Sequence, residues 1–104
     1  MATTKSKGQP LALSQLRLYF AGGAPNSALA LKNILAICRQ QNVDTRRLEL
    51  IDVLREPKRA LRDGILVTPT LVKLSPEPVV TIIGDLSATN VVVQALGGTT
   101  TEDD

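Results

Sequence analysis

The residues of this chain that could do chemistry are few, and the types that are missing limit the reactions it could catalyse. The sequence contains no histidine and one cysteine, Cys38. Without an imidazole, Ser-His-Asp sites, Cys-His sites and every His-containing zinc site are excluded. Cys38 can form neither an intrachain disulfide nor a Cys-x-x-Cys pair. It lies on the apolar side of a predicted helix, about three turns from the amino end, which indicates a small buried hydrophobic residue.

Two other patterns are too weak to predict a ligand site. Gly22 to Ser27 follow a predicted strand and precede a predicted helix, but they lack the Lys-Ser/Thr end of a P-loop and the three-glycine dinucleotide pattern. We interpret this segment as a capped turn. The carboxylates form no Asp-x-Asp loop and no helical pair with metal-ligand spacing. We therefore expect no metal site and no cofactor.

Basic residues form the one charge concentration of the sequence. They lie between positions 46 and 62, with acidic residues among them: Arg46, Arg47, Arg55, Lys58, Arg59 and Arg62. The whole chain has 12 Lys and Arg against 10 Asp and Glu, a net charge of +2. Since a general nucleic-acid binder needs a much larger basic excess, we expect no nucleic-acid partner. The cluster is either a solvated face or a contact for an acidic protein surface.

Length and composition predict one small globular domain. The chain has 104 residues, 43% of them hydrophobic, so the core must consist of Leu, Ile, Val and Ala. No apolar run approaches the roughly 20 residues of a membrane-spanning helix, and Arg17 interrupts the only stretch that could resemble a signal peptide. We expect a cytoplasmic protein without membrane insertion. We predict a flexible segment over 1–14, a domain over 15–98 and an acidic tail over 99–104.

The hydrophobic pattern predicts an α/β fold with the element order β-α-β-α-β-β-α. Strands are predicted over 16–20, 48–53, 70–74 and 79–83, and helices over 28–41 and 57–63. The last element, over 86–96, is ambiguous because Val91-Val92-Val93 is a β-branched run that prefers a strand, whereas the topology requires a helix. This order is that of the thioredoxin fold, and Thr68-Pro69-Thr70 stands where such folds keep a cis-proline. The turn at 23–26 has no cysteines, so thioredoxin chemistry is excluded.

Four separated motifs resemble the KaiB family of circadian clock proteins. They are Ala24-Pro25-Asn26-Ser27, Ile51-Asp52-Val53-Leu54 followed by Pro57, Thr68-Pro69-Thr70-Leu71, and Ile82-Ile83-Gly84-Asp85-Leu86-Ser87. They occur in the family's order and spacing over about 80 residues. The amino-terminal sensor domain of the clock-output histidine kinase is similar, but the carboxyl-terminal half here keeps the KaiB pattern.

The resemblance implies a non-enzymatic timing adaptor with two folds. In this family a thioredoxin-like monomer binds the amino-terminal ATPase ring of the hexameric kinase KaiC, then captures KaiA and competes with the output histidine kinase. The other fold is a tetrameric ground state with a rearranged carboxyl-terminal half. Self-association to a dimer or tetramer is therefore expected. Because X-Pro bonds isomerise over tens to hundreds of seconds, a switch that needs this step would be slow.

The resemblance also suggests which residues act. For partner contact we select five residues in or near the basic cluster: Asp52, Arg55, Lys58, Asp63 and Lys73. For the fold switch we select Pro69, Pro76, Pro78, Gly84 and Asp85. Family members usually carry Lys at the positions of Glu49 and Gly64, so the electrostatic match to an acidic KaiC is expected to be weaker. This departure indicates a divergent paralogue, whose partner is KaiC or a KaiC homologue.

Two other functions remain open from the sequence. One is an interaction module in stress or two-component signalling outside any clock, which would use the same surface on another partner. The other is a thiol enzyme on the thioredoxin scaffold, which would have to work through Cys38 alone.

Overall fold

The computed structural model describes residues 11–99, and within them it contains four strands, three α-helices and two short 3-10 helices, Leu11–Leu13 and Thr45–Arg47. In chain order the strands and α-helices are β1 (Gln15–Phe20), α1 (Pro25–Gln40), β2 (Leu48–Asp52), α2 (Pro57–Arg62), β3 (Thr70–Ser75), β4 (Val80–Ile83) and α3 (Thr89–Ala95). The predicted order β-α-β-α-β-β-α is confirmed. The predicted segment 1–14 lies outside the described residues except for 11–14, and the tail 99–104 except for Thr99.

The strands form one mixed sheet in the order β2-β1-β3-β4. β1 runs parallel to β2, with Leu18 opposite Leu50, because α1 returns the chain to the same end of the sheet. β1 pairs antiparallel with β3, and β3 with β4. The carboxyl ends of β1, β2 and β4 and the amino end of β3 therefore meet at one edge of the sheet, here called the upper edge.

The sheet has two faces with different coverings. Leu16, Leu18 and Leu71 belong to the larger core cluster, to which α1 and α3 contribute Ile34 and Val93. Tyr19, Ile51 and Val72 alternate with them and face the other way, where Val53, Ile65 and Leu74 pack. α1 and α3 therefore cover one face, while α2 lies on the other.

The helix boundaries follow from local sequence but differ from the predicted ones. α1 begins three residues earlier than predicted, since Pro25 at its first position fits a helix whose first N–H groups have no partner. The Ser27 hydroxyl does not cap it but accepts a hydrogen bond from the Ala21 N–H at 3.0 Å. α2 ends before Gly64, whose φ of +77° closes the helix.

The ambiguous last element is a helix. α3 is seven residues long, shorter than the predicted 86–96, and it buries Val92 and Val93 against the core. Burial of these two side chains outweighs their β propensity. The predicted cis peptide bond before Pro69 is present, and the bonds before Pro76 and Pro78 are cis as well. Within residues 11–99, none of the helices has the length and apolar character needed to cross a membrane.

Candidate partner-binding face

Three cations of α2 and the turn before it are exposed. Arg55 keeps 86% of its side chain exposed, and its one ion-pair partner among residues 11–99 is Asp52, at 3.9 Å. Lys58 and Arg62 are exposed on α2, and they form no ion pair with another residue of the described chain. Arg55, Lys58 and Arg62 therefore present positive charge that a partner can approach. We call them the cationic face.

The other basic residues of the predicted cluster bind acceptors of the fold at hydrogen-bond distance, although the side chain of Arg46 stays 89% exposed. Arg46 pairs with Asp44 at 2.7 Å, and Arg47 donates to the Leu13 carbonyl at 3.3 Å. Arg59 is mostly covered and donates to Glu49 at 2.9 Å. For Arg47 and Arg59 the sequence could not show this, because their partners, the Leu13 carbonyl and Glu49, lie 34 and 10 positions away on other elements. Asp44 is only two positions from Arg46, so that pair is a local contact.

Asp52 organises a loop rather than standing free for a partner. Its Oδ1 accepts hydrogen bonds from the Gly22 N–H at 3.2 Å and from the Leu54 N–H at 3.0 Å. These bonds join the turn after β1 to the turn after β2. A carboxylate that accepts two backbone N–H groups is fixed in position, so Asp52 sets the course of the chain that leads to Arg55.

Asp63, at the carboxyl end of α2, binds inward. Its Oδ2 accepts a hydrogen bond from the buried Tyr19 hydroxyl at 2.8 Å and lies 3.8 Å from both Arg17 and Arg59. Burial raises the pKa of Tyr19 above its usual value, and this hydrogen bond to Asp63 adds to the rise. Asp63 thus fastens α2 to the sheet.

Lys73, selected as a contact residue, is only 5% exposed. It lies in β3 opposite Leu16 and Val80, on the same face of the sheet as Leu71. That face is covered by α1 and α3, opposite the face of α2. Lys73 therefore offers almost no surface beside the cationic face.

Apolar side chains near the upper edge add to this face, and none of them was predicted from the sequence. Leu54 follows β2, Leu61 lies on α2, Leu66 and Val67 precede β3, and Ile83 ends β4; all five are exposed, Leu66 by 88%. The Thr70 hydroxyl donates to the Val67 carbonyl at 2.7 Å and fixes this loop beside β4. We call the five residues the apolar rim. The apolar pair just before Thr68-Pro69 was the one signal that could have revealed it.

The residues selected for the fold switch divide between two places. At the upper edge the Gly84 N–H donates to the Pro69 carbonyl at 3.0 Å, and the Asp85 carboxylate accepts from the Ser87 N–H at 3.0 Å. The Asn33 side chain also donates to the Asp85 carbonyl, at 2.8 Å, which ties the segment to α1. Pro76 and Pro78 lie in the link between β3 and β4, at the opposite edge of the sheet.

The chemistry available at these residues is recognition by charge and apolar contact. Cys38 is fully buried, and burial raises the pKa of its thiol, which disfavours the thiolate. Among residues 11–99, no group of three or more His, Cys, Asp or Glu side chains is placed to hold a metal ion.

Comparison with known proteins agrees with the sequence resemblance. The family model described as the KaiB domain matches residues 17–97. The circadian clock protein KaiB3 of Synechocystis sp. is 46% identical over 81 residues, which cover 78% of this chain and 79% of that protein. The circadian clock oscillator protein KaiB of Gloeothece citriformis is 51% identical over 72 residues, 69% of this chain and 68% of that protein.

Solved structures give the same fold. The amino-terminal domain of Synechococcus elongatus SasA is 26% identical with a TM-score of 0.55, over 96% of this chain and 98% of that domain. Thioredoxin 1 of Thermosipho africanus has a TM-score of 0.59 at 19% identity, over 74% of this chain and 84% of that one, and shows the fold alone.

Proposed function

Because the chain belongs to the KaiB family of circadian clock proteins, we propose that it is a non-enzymatic adaptor for KaiC or a KaiC homologue. It docks on the amino-terminal ATPase ring of that hexamer through the cationic face and the apolar rim. Docking regulates the phosphorylation cycle of the ATPase and the output signal that depends on it.

One observation carries this proposal: the cationic face and the apolar rim adjoin each other. Arg55 and Leu54 are neighbours in the chain, and Leu61 and Arg62 are neighbours on α2; all four are exposed. Apolar side chains that lose water at the centre of a contact supply affinity, and a surrounding charge of one sign supplies steering and specificity. A partner surface that is apolar with an acidic border fits this combination.

Glu49 affects the docking face less than the sequence suggests. Its carboxylate binds Arg17 at 2.7 Å and Arg59 at 2.9 Å, so its negative charge is largely neutralised within the fold. The cations available to the partner remain Arg55, Lys58 and Arg62. Asp52 and Asp63 act by positioning α2 and the turn before it, and Lys73 stays within the sheet.

Regulation includes a change of fold in the carboxyl-terminal half. The segment from Pro69 to Asp85 rearranges to a self-associated ground state, with Pro69, Pro76, Pro78, Gly84 and Asp85 at its turning points. Two arrangements within a few kcal/mol of each other suffice for both to be populated. In the bound form the chain captures KaiA and competes with an output histidine kinase; the 26% identity with the SasA domain supports that competition.

The test is a binding measurement with a KaiC homologue from the same cell in the presence of ATP. Size exclusion with light scattering reports the assembly of the chain alone and in the mixture, and calorimetry gives the affinity. The variant combines Lys58→Glu with Arg62→Glu. Its control combines Lys32→Glu with Arg39→Glu, two exposed cations of α1 on the other side of the sheet that give the same change of net charge.

We expect a complex with the unaltered chain and a loss of affinity of more than tenfold in the α2 variant, since two charges at the contact are reversed. The α1 control should bind within about twofold of the unaltered chain, because charges far from the contact are screened by water and salt. Absence of any complex would refute the proposed partner. Equal losses in both variants would refute the proposed face.

A further inference from the structure

α2 has little apolar attachment to the sheet. Of its six residues, from Pro57 to Arg62, only Ala60 is buried. Burial of the Ala side chain supplies little stabilisation, because each buried CH₂-sized group contributes only about 0.8 kcal/mol. Leu61, the one large apolar residue of the helix, is exposed. Another type of interaction must therefore hold α2 in place.

Side chains of opposite charge supply that attachment. Glu49 on β2 accepts from Arg17 of β1 at 2.7 Å and from Arg59 of α2 at 2.9 Å. Asp63, directly after α2, accepts from the Tyr19 hydroxyl of β1 at 2.8 Å. Arg17 also lies 6.0 Å from the centre of the Tyr19 ring and donates to its hydroxyl at 3.2 Å. These five residues, here called the polar clasp, connect β1, β2 and α2 in one network.

We propose that the polar clasp is an electrostatic latch: Glu49 holds α2 on the sheet by bridging Arg17 and Arg59, and loss of this bridge lets α2 detach while the sheet stays folded. The two sides of the latch come from different parts of the chain. Arg17, Tyr19 and Glu49 lie in the first half, and Arg59 and Asp63 in the segment that follows β2. Only a chain with α2 formed and docked can close it.

The latch gives this chain a control over its docking face. The cationic face lies on and beside α2, so the fraction of molecules with α2 docked sets the apparent affinity for a partner that needs it. This consequence rests on the proposed function, whereas the latch itself is a property of the isolated chain. Its partly exposed ion pairs make it sensitive to salt, because the screening length falls from about 10 Å at 0.1 M to about 3 Å at 1 M.

Amide hydrogen exchange on the full chain without any partner tests the latch. The reporters are the N–H groups of Ala60, Asp63 and Ile65, which donate to Glu56, Arg59 and Ala60 carbonyls at 3.1, 2.9 and 2.9 Å. Glu49→Gln removes the bridging charge. Glu77→Gln is the matched control, because Glu77 is an exposed residue of the β3–β4 link that has no ion pair with the described part of the chain.

We expect roughly two- to fivefold faster exchange at the reporters in Glu49→Gln at low salt, from the loss of two partly exposed pairs. The reporters should open locally, with a lower opening free energy than β1 and β3 and with little dependence on low concentrations of urea. Exchange in β1 and β3 should accelerate by no more than the loss of global stability, and every rate in Glu77→Gln should stay unchanged. Near 1 M salt the unaltered chain should approach the rates of Glu49→Gln. Glu49→Lys, which places a third cation beside Arg17 and Arg59, should exceed the effect of Gln.

Two outcomes would overturn the latch. One is unchanged exchange at the reporters in Glu49→Gln together with no salt dependence in the unaltered chain. The other is exchange at the reporters with the same opening free energy and the same urea dependence as in β1 and β3, which would show that α2 opens only when the whole domain unfolds. Neither outcome depends on whether a KaiC homologue binds, so failure of the latch and failure of the proposed function are separate results.

Discussion

The Asp52 carboxylate accepts a hydrogen bond from the Gly22 N–H at 3.2 Å, across the upper ends of two neighbouring parallel strands. The close approach depends on the absence of a side chain at position 22. A Cβ built there would lie 2.7 Å from Oδ2 of Asp52, well inside van der Waals contact. The turn therefore needs a glycine at position 22 for a steric reason, and Asp52 has a structural role.

Gly22→Ala is expected to destabilise the fold by up to about 1 kcal/mol, because the carboxylate must move away and weaken its bonds to the Gly22 and Leu54 N–H groups. Urea denaturation measures this. In an Asp52→Ala background the same substitution should cost much less, since the obstructing atoms are gone. Equal costs in both backgrounds would contradict the steric explanation.

The ion pairs of Glu49 should make the free energy of unfolding depend on pH. The hydrogen bond from Arg17, followed by that from Arg59, holds the pKa of Glu49 below its usual value despite partial burial. A carboxyl with a lower pKa in the folded state contributes stability above its unfolded pKa and loses that contribution as pH falls through the folded pKa. Glu49 is 43% exposed at its side chain, so solvent screening limits the contribution.

Glu49→Gln should therefore be less stable than the unaltered chain by no more than about 1 kcal/mol near neutral pH. The difference should shrink once the pH falls below the ordinary Glu pKa of about 4.3 and disappear at still lower pH. Denaturant titrations over this range give the comparison. A difference that does not change with pH would mean that the substitution acts through packing instead of charge.

The apolar rim predicts a variant that separates binding from folding. Leu66→Ser should change the free energy of unfolding by less than about 0.5 kcal/mol, because the Leu66 side chain is almost fully exposed. It should weaken binding of the KaiC homologue by more than about fivefold if Leu66 lies at the centre of the contact. Leu13→Ser, an exposed leucine before β1 at the opposite edge of the sheet, is the control. Equal affinities for the two variants would remove Leu66 from the docking face.

Cys38 predicts the behaviour of the chain towards thiol reagents. The buried, protonated thiol should react with a disulfide reagent only after unfolding. Cys38→Ala should lower stability by about 1 to 2 kcal/mol through the small cavity it leaves and should bind the KaiC homologue with unchanged affinity. A folded Cys38→Ala that no longer binds, or a rapid reaction of the native thiol, would support the thiol-enzyme alternative instead.

Much of this architecture is readable from the sequence because local patterns and topology agree. The run Leu16 to Phe20 followed by a turn, the periodic apolar residues of α1 and the four family motifs all indicate the same fold. The position of Pro69 before β3 was predicted together with its cis bond, and the bond is cis. Burial of Cys38 followed from its place on the apolar side of α1.

The site was harder to predict because it depends on which charges meet in space. Arg59 and Lys58 are adjacent in sequence, yet one is bound to Glu49 and the other is exposed. Asp63 was selected as a contact residue, but its carboxylate bonds to Tyr19, 44 positions away. No periodicity encodes such pairs. The burial of Lys73 was missed for another reason. It points to the face of β3 that the helices cover, and only the pairing register shows which face that is.

Leu86 occupies an unusual backbone conformation beside the segment selected for the fold switch. Its φ is +64°, in the left-handed region, yet its side chain is buried in the larger core cluster. The left-handed conformation costs a residue with a Cβ roughly 1 to 2 kcal/mol, which burial of the leucine side chain offsets. Leu86 is thus held in place by its core contact, next to Gly84 and Asp85.

A pair of substitutions separates these two contributions. Leu86→Ala loses the core contact and keeps the conformational cost, so it should destabilise the fold by about 2 to 5 kcal/mol. Leu86→Gly loses the same contact but removes that cost, since glycine adopts positive φ freely. We therefore expect Gly to be less destabilising than Ala by about 1 kcal/mol, the reverse of the usual order of these residues. Thermal denaturation of both variants measures the order, and Ala more stable than Gly would mean that Leu86 does not hold the left-handed conformation in the native state.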